Sequence, residues 1–410
     1  MIPKNAARRR GNPVRTVRPR LDNGVEHPVV LLADYWRPGW RAGGPIVSLG
    51  LLVDRTEHQI AVLTRSHDLG QVDDYPSITP NDWTPGAHER KQVGYLRGAR
   101  GLRWAMRQIR HLKPQVIHIN SLHSIPFGIL PLAALRLRLL PATSIVVSPH
   151  GELSRASQEH KAWKKRIGRP ALRRLVPRGA LWHASSEMER HDIVSWLGYK
   201  PRVYIRPDEP PQPAPESVVT SWSDGSHGVD GAEPTVLFAS RIHPIKGLDT
   251  AIHVIANVRA PCRFVIAGTV EDEAHWQMCQ RDMDALPDSV NSHALGSYRQ
   301  EDLDSMLDRA RVLLLPSKGE NFGQVIAEAL SRGCPVALLD TTPWVQYAGS
   351  DIGIASNNTD DLVLFVDEVL TESETDHRER RQRVLAAYER WFDSTMKGHD
   401  FYEDVTGDLR

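Results

Sequence analysis

Two carboxylates eight residues apart, Glu320 and Glu328, lie in the run 311–335, R-V-L-L-L-P-S-K-G-E-N-F-G-Q-V-I-A-E-A-L-S-R-G-C-P. On a continuous helix that spacing would set the pair about 12 Å apart along the axis and roughly 80° apart around it. A glycosidase needs two carboxyl groups about 5–9.5 Å apart that flank one bond, so this is not such a pair. A loop Glu and a helix Glu so placed can each grip a different part of an elongated ligand, and a nucleotide-sugar is such a ligand. Residues 312–315 form an apolar run closed by Pro316 and read as a buried parallel strand, while 324–332 has helical composition with Gly333 as its stop. The loop between them ends in the free N–H groups of a helix N-terminus, where an anionic ligand is favoured. A second loop carries cations: Arg241 and Lys246 stand five residues apart between a predicted strand at 235–239 and an amphipathic helix reaching about 258. Two cations in such a loop suit a diphosphate, whose charge grows as it departs. His150 closes a third strand, I-V-V-S-P, and is followed by glycine, which puts a titratable group at a strand end.

The string E-N-F-G-Q-V-I-A-E-A-L, followed by G-C-P-V and then by Pro343-Trp344, resembles the donor-site signature of retaining glycosyltransferases of family 4, which have a two-domain GT-B fold. The run S-R-I-H-P-I-K-G-L-D at 240–249 is similar to that family's G-R-x-x-x-x-K-G-x-D, with Ser240 in place of the first glycine. S-P-H-G at 148–151 is similar to its S-P-H-G turn, and Gly43-Gly44-Pro45 resembles the glycines of its first loop. The resemblance runs from about residue 28 onward and is densest in the second half. It implies an α/β chain of two Rossmann-like doubly wound lobes facing a central cleft. It also implies a retaining transfer of a sugar from a nucleoside-diphosphate sugar to a hydroxyl of a glycan or lipid-linked acceptor. The residues it marks for catalysis are His150, beside the transferred sugar, Arg241 and Lys246 on the diphosphate, and Glu320 on the sugar hydroxyls. Donor binding falls to Gly43, Gly44, Asn321, Phe322, Gly323 and Glu328, the last on the ribose, with Val270 and Ser297 near the nucleobase. Pro343-Trp344 further resembles members that build bacterial surface polysaccharides, which points to cell-surface polysaccharide or lipopolysaccharide biosynthesis. At 205–211 the chain reads I-R-P-D-E-P-P, where the family often has a P-N-G turn. Other readings share the architecture: a nucleotide-sugar epimerase, a phosphorylase, or a non-catalytic scaffold, although a scaffold would be expected to have lost Glu320, Lys246 or Arg241.

The elements that must position these groups follow from repeated alternation. Strands are predicted at 27–33, 58–64, 116–120, 144–148 and 182–185, and helices at 46–54, 97–112 and 128–140 among them. That order predicts a parallel sheet covered on both faces, with ligands at the carboxyl ends of its strands. A chain of 410 residues fits two domains of about 150–200 residues each. The expected division is a basic disordered tail at 1–24, an acceptor-binding lobe at 25–208 onto which a helix at 385–410 packs back, a Pro- and Ser-rich linker at 209–233, and a donor-binding lobe at 234–384.

A net charge of +1 gives no global pull toward nucleic acid, and no such partner is expected. Three cysteines without ligand spacing indicate neither a disulfide framework nor a zinc site and fit a reducing cytoplasm. No D-x-D stands at a predicted strand end, and Asp302 and Asp304 read as helix-surface residues, so the expectation is no metal and no cofactor, with the nucleoside-diphosphate sugar as co-substrate. Residues 125–140 are too broken by proline and arginine to span a membrane, and the N-terminus shows no secretory signal. Two basic stretches, 1–20 and 155–178, nonetheless suit peripheral contact with anionic lipid on the inner face of the plasma membrane. Pro170 is expected to split the helix in the second of them.

Overall fold

The computed structural model describes residues 28–85, 90–141, 144–154, 162–215, 233–346 and 351–408, with only the backbone of 162–167 and 408. The basic tail, residues 155–161 and most of the linker lie outside them. In the first lobe the strands are β1 (Val29–Leu32), β2 (Ile60–Arg65), β3 (Trp83–Pro85), β4 (Lys91–Leu96), β5 (Val116–Ile119), β6 (Ser144–Val147), β7 (Leu181–Ala184) and β8 (Arg202–Ile205). They form one sheet in the order β3-β4-β2-β1-β5-β6-β7-β8, parallel throughout except for the edge pair β3–β4. β1 and β5 are buried along their whole length, as a strand covered on both faces requires. The helices of this lobe are α1 (Gly44–Arg55), α2 (Gly98–Leu112), α3 (Leu130–Arg136), α4 (Ala162–Leu175) and α5 (Glu187–Leu197).

The second lobe has β9 (Thr235–Ala239), β10 (Cys262–Ala267), β11 (Val290–Gly296), β12 (Ala310–Leu315), β13 (Val336–Leu338) and β14 (Gly353–Ala355), all parallel, in the order β11-β10-β9-β12-β13-β14. Its helices are α6 (Leu248–Ala256), α7 (Glu273–Asp284), α8 (Gln300–Arg309), α9 (Gln324–Ser331) and α10 (Thr359–Thr371). Strand order reverses beside β1 in one sheet and beside β9 in the other, and ligands of open α/β sheets bind outside the carboxyl ends at such points. Two further helices close the chain. In α11 (Glu374–Thr395), Val384, Tyr388, Trp391 and Phe392 enter the second lobe's core, whereas Phe401, Tyr402 and Val405 of α12 (Phe401–Asp408) enter the first lobe's.

Two expectations are corrected and one pair of strands is added. The hairpin β3–β4 was not predicted; Pro85 is tolerated because it lies on the sheet's edge. The helix expected over 128–140 starts as a π-turn at Ile125–Ile129, continues as α3 and stops at Arg136, with Arg138 in the left-handed region at φ 57°. α4 runs unbroken through Pro170. Burial of Leu172 and Val176 in the first lobe's core offsets the hydrogen bond that proline removes.

Candidate active site

The strand, loop and helix read from 311–335 are β12, the turn 316–323 and α9. Two loops of the second lobe are fastened together there: Ile245 O accepts from Ser317 Oγ at 3.1 Å and from Lys318 N at 2.7 Å. Their approach requires a glycine at 247, because a Cβ on it would lie 2.0 Å from Pro316 O. The result is that Lys246 Nζ donates to Glu320 Oε1 at 2.7 Å, with the two side chains 14% and 7% exposed. Arg241, on the same loop, is half-exposed and pairs with Glu271. Gly323, at φ 80°, caps α9, and Gly44 of the first lobe comes close to the first residue of that helix; a Cβ on Gly44 would sit 3.0 Å from Gln324 Cβ.

On α9, Gln324 and Glu328 are four residues apart and share a face. Both amide heavy atoms of Gln324 and the Oε1 of Glu328 are buried without a hydrogen-bond partner. Buried polar atoms are normally bonded, so three orphans on one helix face mark a place where a ligand's hydroxyls or amides would complete the bonding. Glu328 is 5% exposed, and burial raises its carboxyl to about 8 although Gln300 bonds to it. Tyr298, partly buried, is pushed up by desolvation first and then by the charge of Glu328.

The facing wall comes from the first lobe. His150 and Gly151 are both left-handed, at φ 45° and 77°, which turns the imidazole back over the carboxyl edge of the sheet. Its Nδ1 lies 3.2 Å from Asp208, after β8, and its Nε2 lies 2.5 Å from Asn120 Oδ1, after β5. Burial alone would disfavour the imidazolium, but Asp208, with Glu189 and Glu152, overrides it and raises His150 to about 9. Both ring nitrogens then donate. Glu189 accepts from Gly151 N at 2.7 Å and Ser185 N at 2.8 Å, and burial raises its carboxyl. The lobes meet at this carboxylate: Asn321 Nδ2 donates to Glu189 Oε2 at 3.1 Å and to Ser185 Oγ at 2.7 Å. The loop bearing Gly43 and Gly44 is shaped by Asp68, which accepts from Trp40 N at 2.9 Å and Arg41 N at 3.2 Å.

The remaining residues marked by the sequence lie as follows. The Phe322 ring is buried between Trp344 and Trp391, at centroid distances of 5.4 and 6.4 Å, so only its backbone is available to a ligand. Trp344 Nε1 donates to that backbone, at Phe322 O, 2.5 Å away. Val270 pairs with Ile242 beyond β10 and is partly buried, and Ser297 is exposed just after β11, both at the carboxyl edge. Sequence reading passed over Asn120, Asp208, Glu189 and Gln324. Asp208 was visible as the acid in the divergent I-R-P-D-E-P-P, and Gln324 as the neighbour of Gly323.

Residues 6–208 match the family model described as a glycosyl transferase 4-like domain, and residues 223–384 match that of glycosyl transferases group 1. The gpi3 subunit of the Schizosaccharomyces pombe phosphatidylinositol N-acetylglucosaminyltransferase is 29% identical over 182 residues, which are 42% of this chain and 38% of that protein. Among solved structures, sucrose-phosphate synthase from Thermosynechococcus elongatus superposes with a TM-score of 0.67 at 16% identity, covering 93% of this chain and 100% of that one. Anabaena HepE, in complex with UDP and glucose, gives 0.66 at 14% identity, covering 93% and 99%. At such identities these two likenesses speak for the fold, while the two family models between them take in both lobes. The chain belongs to the family 4 glycosyltransferases of GT-B fold.

Proposed function

We propose that this glycosyltransferase moves a sugar, with retention of anomeric configuration, from a nucleoside-diphosphate sugar to a hydroxyl of a glycan or lipid-linked acceptor. The observation that carries the proposal is the Lys246–Glu320 pair beside the orphaned Gln324 and Glu328 at the head of α9. A cation and a carboxylate held together in this way can divide one ligand between them. Lys246 and the N–H groups of α9 stabilise the charge that grows on the departing diphosphate, and Glu320 accepts from sugar hydroxyls. Arg241 reaches the diphosphate by leaving Glu271, an exposed pair that costs little to break. Glu328 accepts from the ribose, Val270 and Ser297 border the base, and Gly43 and Gly44 let the backbone approach the phosphates. His150, protonated and fixed by Asp208 and Asn120, sits beside the transferred sugar. The acceptor hydroxyl attacks from the face the diphosphate leaves.

The place of action belongs to the same proposal: cell-surface polysaccharide or lipopolysaccharide synthesis at the inner face of the plasma membrane, with 155–178 and the basic N-terminus in contact with anionic lipid. No helix among the described residues is long and apolar enough to cross a membrane. Arg174 and Arg178 are exposed, whereas Arg169 and Arg173 are turned inward over Trp196, at 5.9 and 5.5 Å from its ring centroid.

The test is a donor panel of UDP-, GDP- and ADP-sugars, ranked by thermal shift and then incubated with acceptor glycans while the anomeric configuration of product is followed by NMR. An α-linked product from an α-linked donor is expected. An inverted product would refute retention, and epimerised donor or free sugar phosphate would replace transfer by one of the rival chemistries.

A further inference from the structure

Helix α2 reads G-A-R-G-L-R-W-A-M-R-Q-I-R-H-L, and Arg100, Arg103, Arg107 and Arg110 recur at intervals of three and four, which places them in one stripe. Between that helix and the segment running from the π-turn into α3 lies a groove of about 990 Å³. Its base is apolar, formed by Leu32, Leu63 and Phe127, and its outer lip carries Leu130, Leu137 and Leu139, all exposed. The four arginines line it, and no carboxylate does. Arg110 braces the lip by donating to Leu139 O at 2.7 Å; Arg100, Arg103 and Arg107 have no ion pair among the described residues.

A row of like charges on one helix face is self-repelling, and large apolar side chains left open in water are unfavourable. One ligand class relieves both: an anionic head joined to a hydrocarbon chain. A peptide suits the groove poorly, because the arginines only donate and the apolar base offers the peptide's own N–H groups few acceptors. The volume is that of a pocket for one molecule. Topology gives its direction. α2 follows β4 and therefore begins at the carboxyl edge of the sheet, so the end near Arg100 and Pro126 opens beside the edge that carries His150 and Asn120. The end near Arg110 and Leu139 is remote from it.

We infer that this groove binds the hydrocarbon chain of a single anionic amphiphile, with its phosphate or comparable head on Arg100 and Arg103 at the carboxyl edge and its tail running along α2 toward Leu137 and Leu139. The inference rests on the transferase reading in one respect: such a molecule, so oriented, delivers an acceptor hydroxyl toward the cleft.

The experiment is calorimetric titration of the full chain with octyl, decyl and dodecyl phosphate, each below its micellar concentration. One saturable site is expected, tightening about fourfold per added methylene. Ala133→Trp, which fills the groove from a half-buried position on α3, should abolish that gradient. Leu130→Asp, at the exposed lip, should do the same if the tryptophan variant fails to fold. R100S/R103S should weaken every alkyl phosphate about equally and leave the gradient, and all variants should bind nucleoside diphosphate like the parent. Absence of saturable binding, or an unchanged gradient in A133W and L130D, would overturn the inference. So would binding confined to phosphatidylglycerol vesicles and indifferent to those variants, which marks a bilayer surface instead. Alkyl phosphate binding without sugar transfer on any acceptor upholds the groove and refutes the transferase reading. Transfer to a water-soluble glycan, with no alkyl phosphate binding, does the reverse.

Discussion

Replacing Glu328 by glutamine should stabilise the free protein and weaken its hold on nucleotide at once. The carboxyl is 5% exposed and raised by burial from 4.5 to about 8. Below pH 4.5 it is neutral in the folded and the unfolded chain alike. Between 4.5 and 8 the unfolded chain has ionised and the folded chain holds its proton, so stability falls as pH rises, by 1.36 kcal/mol per unit, or about 5 kcal/mol over the interval. At pH 7 the glutamine variant, which cannot ionise, escapes as much as about 3 kcal/mol of that loss. Ligand binding reads the same proton. With the group near 8, about nine-tenths of free molecules are protonated at pH 7, and a ribose that binds the ionised carboxylate, the stronger acceptor, displaces that proton. Titration calorimetry with nucleoside diphosphate, in buffers of different ionisation enthalpy, should therefore show about 0.9 proton more released by the parent than by Glu328→Gln. Affinity should drop in the variant while its melting temperature rises. Equal proton release and equal affinity in the two proteins would refute the placement of Glu328 on the nucleotide.

Lys246→Ala and Arg241→Ala should each lower turnover about 100-fold or more, measured under saturating donor, because each removes a preorganised cation from developing charge. EDTA should leave the parent's turnover unchanged in the same assay. His150 is raised from 6.5 to about 9, so its pairing with Asp208 supports the fold fully below pH 6.5 and is lost as pH rises through 9; Asp208→Asn should erase about 3 kcal/mol of that pH-dependent stability in denaturant titrations. Trp344→Ala, by emptying the cluster against Phe322 and Trp391, should cost about 3–5 kcal/mol of stability with the sheet content retained in circular dichroism. Exchanging Lys164, Lys165, Arg174 and Arg178 for serine should release the chain from vesicles of acidic lipid, at about 1 kcal/mol per residue, and retention on the vesicles would assign that face to solvent.

What could be read from the sequence was local. Glu320 and Lys246 each lie in a contiguous strand-to-helix turn, so motif and spacing exposed them before their side chains were seen to meet. The partners of His150 were hidden because Asn120 follows β5 and Asp208 follows β8, and only the strand order of the sheet brings the two turns to one imidazole. Phe322 lay inside a legible motif, yet its ring serves packing, since the apolar partners Trp344 and Trp391 arrive from 22 and 69 residues away. Pro170 showed the opposite failure. A strong local rule against helix gave way to burial of Leu172 and Val176, which no window of the sequence could weigh.

The seating of α11 in one core and α12 in the other has a consequence for how the molecule can be cut and how it can move. The first lobe is not a contiguous stretch of chain: α12 completes its core only after the second lobe has closed with α11. A fragment ending before the linker would leave open the slot that Phe401 and Tyr402 fill, and would deprive His118 of the Tyr402 hydroxyl 2.9 Å from its Nδ1. The chain also crosses between lobes twice, once after Arg206 and again at 396–400, where Gly398 turns left-handed at φ 79°. A change in the angle between the lobes would have to part Asn321 from Ser185 and Glu189, which its amide meets from the opposite lobe.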